Sequence, residues 1–230
     1  MNKIFASIFL FLTLVISPAF AETITINDAV GDAIGIQFET YKIDIKNFTP
    51  GINSGAIAFD IYTDYPQNGI TVGTWATKPA DLFITETYHG VDYEWAIPLV
   101  NRTGFTAGTM YAVGSYFNSD HFSPGPGYIY NPGEKVQIAT ISSNYGIPSL
   151  GGGSVTWESI PQGISDYIIH ITTGIWQDDP YGVFDVKWVT AYCANDIISG
   201  STSPVPEPAT MMLFGLGLLG AARISRKKTA

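Results

Sequence analysis

Cysteine is nearly absent from this 230-residue chain: Cys193 stands alone. No intrachain disulfide can form, and neither a cysteine metal cluster nor a dithiol redox pair exists. Cys193 reads first as a small buried thiol, with an intermolecular bridge or a reactive thiol as the other readings. Histidine is scarce too. His89, His121 and His170 lie far apart, and none has the spacing of a zinc site. No Gly-x-Ser-x-Gly elbow is present. Glu86, Glu94 and Glu158 are carboxylates that a glycosidase would need in a flanking pair, but any acidic β protein offers as much. The expectation is therefore a protein that is not an enzyme and has no obligate cofactor.

Positive charge is also sparse. Of 11 basic residues, Lys3, Arg223, Arg226, Lys227 and Lys228 lie near the chain ends. Six basic and nineteen acidic residues lie between Glu22 and Pro204, giving that part a net charge of −13. Such a surface repels nucleic acid and anionic lipid headgroups, and attracts cations.

Both ends are specialised. Residues 1–21 read as a secretory signal peptide: Lys3, an apolar run from Ile4 to Ile16, and Ala19-Phe20-Ala21 as the small-x-small cleavage pattern. Signal peptidase and the export machinery are then the first partners. The tail, residues 205–228, has three parts. Val205-Pro206-Glu207-Pro208 comes first, and its prolines hold the backbone extended. Thr210 caps a short apolar segment ending at Ala222, and Arg223, Arg226, Lys227 and Lys228 form a basic stop that stays cytoplasmic. Thirteen residues make a helix of about 20 Å, short of the roughly 30 Å of a bilayer core. That suits a transient stop better than a permanent anchor. Gly215-Leu216-Gly217-Leu218-Leu219-Gly220 fits a dinucleotide-binding pattern, but no strand precedes it and the chain ends too soon for the acidic partner.

The tail resembles the PEP-CTERM sorting signal of exported proteins in Gram-negative bacteria that make extracellular polysaccharide. Val205-Pro206-Glu207-Pro208 matches the family's VPEP motif, and the glycine-rich apolar segment and basic cluster match its other two parts. The resemblance covers about the last 26 residues. It implies an exosortase as partner, removal of the tail at or near the motif, and passage through the inner membrane to the outer envelope or extracellular matrix. It implies nothing about the fold upstream.

Between the ends, residues 22–198 read as one domain, with 199–204 as a polar linker. Tyr, Phe, Trp, Ile, Val and Thr abound, and Gly and Pro recur as punctuation. Ile57, Phe59 and Ile61 alternate with Ala58, Asp60 and Tyr62; similar runs recur at 23–26, 36–45, 81–88, 91–100, 109–117, 135–141, 155–158, 167–171 and 184–188. His89-Gly90 reads as a hairpin turn, and a phase shift near Thr40 as a bulge. Long loops are expected at 65–78, 118–133 and 144–153. About ten such strands indicate an all-β fold, an antiparallel sandwich of jelly-roll-like type, with an open barrel as the alternative.

Within that domain three features point to binding. Asn27-Asp28-Ala29-Val30-Gly31-Asp32 sets two carboxylates around a glycine turn. Trp188 to Asp196 resembles the Trp…Cys-x-Asn-Asp closing strand of many PEP-CTERM exported domains. In jelly rolls the first and last strands lie close, so Asp28, Asp32 and Asp196 are candidate oxygen ligands for calcium; the spacing is not that of an EF-hand loop. The other reading makes them turn residues on an acidic surface. Asp178-Asp179-Pro180 is explained by turn chemistry. Finally, Trp75, Trp95 and Trp176 lie near loops or strand ends and Tyr128 and Tyr130 in the longest loop; exposed aromatics such as Trp75 and Tyr128 would stack on glycan, which makes the extracellular polysaccharide a candidate partner. Two functions stand: a structural or interaction component of the envelope, and a glycan-binding module stabilised by calcium.

Overall fold

The computed structural model describes residues 22–33, 35–48, 56–72, 75–88, 90–122, 131–143, 149–175 and 183–202. The expected signal peptide and sorting tail, Tyr128, Tyr130, Trp176, His89 and the expected turn at 178–180 lie outside them, as does the Trp75 side chain.

Two antiparallel sheets pack face to face. The first has the order β1 (Glu22–Asn27), β2 (Thr40–Phe48), β3 (Ala56–Thr63), β12 (Tyr167–Ile175), β11 (Ser154–Ser159). The second runs β10 (Ser149–Leu150), β8 (Met110–Asn118), β7 (Val91–Ile97), β6 (Leu82–Tyr88), β13 (Phe184–Val189), β14 (Ile197–Ser201), with β9 (Lys135–Ile141) paired to β8. A small hairpin, β4 (Thr71–Val72) with β5 (Trp75–Ala76), stands apart. One helical turn, α1 (Ser119–Phe122), follows β8. The expected antiparallel sandwich is therefore the fold.

Strict alternation builds the core. Ile43, Ile45, Ile57, Phe59, Ile61, Ile169 and Ile171 of the first sheet meet Leu82, Ile84, Trp95, Ile97, Met110, Phe184, Val186 and Trp188 of the second. Trp188 is fully buried and its indole N–H donates to the Ala80 carbonyl at 3.2 Å, which satisfies its one polar atom. Cys193 is buried in a satellite cluster with Phe38, Tyr65 and Ala191.

Three expectations change. Residues 36–38 form a 3-10 turn rather than strand, and the strand begins at Thr40. Gly35, at φ 97°, swings the chain out, leaving Ile36 exposed while Phe38 turns inward. The expected bulge is present as a register shift between Thr40 and Lys42. The 188–196 stretch is not one closing strand: β13 ends at Val189, Ala194 sits at φ 48°, and Ala194 N–H donates back to the Ala191 carbonyl. The chain then returns as β14. Residues 199–202, expected as linker, belong to the sandwich. Ser199, Gly200 and Ser201 pair with β13, and Thr202 is fully buried.

β1 and β14 are edge strands that lie side by side. A Cβ on Gly200 would come within 2.8 Å of Ile26, so only glycine allows this approach. Asp28 and Asp196 meet at one pole, and from there both strands run to the other. Glu22 and Thr202, the first and last described residues, thus lie at the same pole of the sandwich.

The outer face of the first sheet carries a polar ladder. Asp44 and Asp60 sit directly opposite on β2 and β3, a like-charge pair that would destabilise the sheet. Lys42 donates to Asp44 at 2.7 Å, and Lys46 pairs with Asp60. His170 lies between Asp60 and Glu158, with each ring nitrogen 2.9 Å from a carboxylate oxygen. Neutral imidazole has one N–H, so only the imidazolium satisfies both contacts. Burial by itself would lower the His170 pKa, but the bonds to Glu158 and Asp60 outweigh it and raise it. The folded state therefore holds the proton more tightly than the unfolded chain. Its stabilising effect is full below the ordinary value of 6.5 and is lost as pH rises through the raised one. The site is partly exposed, so about 0.2–1 kcal/mol is expected. Urea midpoints measured across this range should fall with rising pH more steeply in the native protein than in His170→Gln.

Candidate functional site: an acidic pole and a C-terminal sorting segment

At the pole where β1 ends and β14 begins, three carboxylates converge. Asp28 follows β1, Asp32 lies four residues on past the glycine turn, and Asp196 immediately precedes β14. Each offers an oxygen within 4.8 Å of the other two. Asp196 is buried and rigidly held: its carboxylate accepts from Thr40 N–H at 2.6 Å and Ile197 N–H at 2.9 Å. The Asp28 carboxylate accepts from Ala29 N–H at 3.0 Å through one oxygen. Its other oxygen is shielded from solvent and accepts from no ordinary donor among the described residues. Asp32 is exposed at the rim.

The electrostatics follow from this crowding. Burial, then repulsion from Asp28, raises the Asp196 pKa; burial, then repulsion from Asp32 and Glu39, raises that of Asp28. Backbone donors oppose the shift at both residues, as does a side-chain hydrogen bond to Asp196 at Asp28, and do not cancel it. Ionised together, the carboxylates repel; a shared proton or a bound cation relieves them.

Glu39, which the sequence reading did not single out, belongs to the same pole. It is buried and accepts from Gly31 N–H, fixing the turn that carries Asp32. With Val30, Gly31, Ala33, Ile36 and Tyr41 it lines a cavity of about 260 Å³ beside the carboxylates. Its only sequence signal was an acidic residue one position before a strand. Thr40 was equally unmarked, because its role is played by a backbone N–H.

The remaining candidates are scattered. Glu158 engages His170 on the outside of the first sheet, whereas Glu94 pairs with Lys135 beside the second. His121 stacks on Phe117 at 4.4 Å. Trp95 is in the core, not on a surface. Among the described residues no helix is long and apolar enough to cross a membrane, and the apolar segment of the tail lies outside them.

Thr202 is the last described residue; its N–H donates to the Phe184 carbonyl and its hydroxyl accepts from Phe184 N–H, both at 2.9 Å. Two residues later the sorting segment begins. Residues 204–227 match the family model of the PEP-CTERM protein-sorting motif. The motif marks an exported protein sorted to the cell surface, and it implies interaction with an exosortase. No curated protein and no solved structure matches the chain. The PEP-CTERM match covers the tail, so the sandwich itself is read on its own geometry.

Proposed function

We propose that this is an exported, non-enzymatic envelope or extracellular-matrix protein, delivered as a folded β-sandwich after an exosortase removes its tail. The observation that carries the reading is the sorting motif at 204–227, two residues after Thr202, which is buried in the sandwich. Mass spectrometry of the secreted form tests it. The product is expected to begin at Glu22 and to end at or near Pro206-Glu207-Pro208, and its yield outside the cell should collapse when the exosortase is deleted. Secreted protein that still carries Arg223 to Lys228 would remove the reading.

A second element rests on the acidic pole. The domain binds calcium through Asp28, Asp32 and Asp196, and the ion ties the first strand to the last. Ca²⁺ takes six to eight oxygens at about 2.3–2.6 Å, and three carboxylates supply up to six with water completing the shell. The shielded Asp28 oxygen and the upward shifts at Asp28 and Asp196 support a cation here.

A further inference from the structure

From the way the fold ends we infer that the pole of the sandwich carrying Thr202 and the β6–β7 hairpin is a docking surface for the membrane-embedded sorting protease. This rests on the exosortase reading of the tail and adds a contact outside the motif.

Thr202, the last described residue, is fully buried and hydrogen-bonded to Phe184. Only Ser203, Pro204 and Val205 separate it from Pro206. Fully extended, that stretch spans about 13–14 Å from Thr202 to Pro206. An enzyme that grips the motif must therefore come within that distance of the folded domain.

What it meets there is set by the sheet register. Phe184, level with Thr202, pairs with Glu86 on β6. β6 runs on past that level to Tyr88, which pairs with Val91, with the turn completed by Gly90 at φ 76°. At about 3.3 Å per residue the hairpin tip projects about 10–13 Å beyond Thr202, as far as the linker can carry Pro206. β13 alone lies between β14 and β6, so the tip stands about 10 Å to the side of the exit point. Thr87 donates to Asp92 across the hairpin at 2.7 Å. Val91 is 53% exposed, an apolar side chain directed to solvent at this pole. A protease that closes on the motif therefore comes within reach of this hairpin.

The experiment follows tail removal by pulse-chase in the native host, using full-length protein. Val91→Arg should slow processing at least fivefold while the mature domain keeps its melting temperature. Deleting Ser203-Pro204 should slow it at least tenfold, because the motif is drawn against the fold. A ten-residue Gly/Ser insert between Thr202 and Ser203 should make the rate indifferent to Val91→Arg. Wild-type rates for both Val91→Arg and the deletion would overturn the proposal. So would a slowing by Val91→Arg that persists behind the long insert, which would assign the effect to export or to the membrane surface. Replacing Pro206 and Pro208 with alanine separates the two readings: normal processing of that variant would remove the sorting reading itself, whatever Val91 does.

Discussion

Arg102→Ala is expected to destabilise the domain by about 3–5 kcal/mol, a large share of the roughly 5–15 kcal/mol that holds a typical domain together. Asp81, just before β6, is completely buried. Arg102, in the turn it shares with Phe105, grips it with both nitrogens, Nη1 to Oδ1 at 2.7 Å and Nη2 to Oδ2 at 2.5 Å. Asp81 Oδ2 also accepts from Ile138 N–H at 2.8 Å, and Arg102 reaches the Ile138 carbonyl at 3.3 Å. One ion pair thus fastens β9 across the outside of the second sheet, over Phe83, Ala96 and Tyr111. Removing the guanidinium leaves a carboxylate in an apolar interior. Burial already raises the Asp81 pKa against the pull of Arg102, and the variant loses that pull. The deficit in Arg102→Ala should therefore grow as pH rises, since the group must stay protonated to remain inside. An apolar pair, Asp81→Leu with Arg102→Met, should recover most of the loss. Urea unfolding of the three proteins decides it; a change below about 1 kcal/mol for Arg102→Ala would mean that the pair bears little load.

Calcium at a hundredfold excess over its Kd should stabilise the domain by about 2.7 kcal/mol, which raises the melting temperature by about 5–10 °C for a domain of this size. Asp28→Asn should abolish the rise. The effect should also depend on pH in a definite direction. With pKa values raised above the ordinary 3.8, Asp28 and Asp196 bind protons more tightly in the folded state than in the unfolded one. Without the ion, their contribution to stability is greatest below that ordinary value and is lost as pH rises towards neutrality. The ion binds the deprotonated carboxylates, so its stabilisation grows across the same interval. Calorimetry with calcium and with chelator, repeated at acid and neutral pH, measures both. A melting temperature indifferent to calcium at neutral pH would dispose of the metal.

Alternation made most of the sandwich legible. Ile57, Phe59 and Ile61 announce a strand because one face of it is core and the other solvent, and the same logic found β6 to β9 and β11 to β13. The elements that escaped it are those whose place is decided by neighbours far away. Ile197–Ser201 ends in Ser-Gly-Ser, which reads as linker; it is a strand because β13 offers it a ladder and Ile26 leaves room only for Gly200. Ile36 and Phe38 have strand spacing, yet Gly35 breaks the run. The neighbourhood of Asp28 and Asp196 was legible only through the expected closeness of first and last strands, whereas Glu39 needed the fold of the turn itself. Nothing local marked Asp81 and Arg102, because each looks like an ordinary turn residue and their partnership exists only across the sheet.

Cys193 is only 2% exposed, and burial pushes its thiol up to about 11, so at neutral pH it is both hidden and protonated. A domain destined for an oxidising exterior therefore carries a single latent tag that chemistry reaches only when the structure opens. The rate at which a thiol reagent consumes it is a clock for that opening, readable on unpurified secreted material without adding a probe.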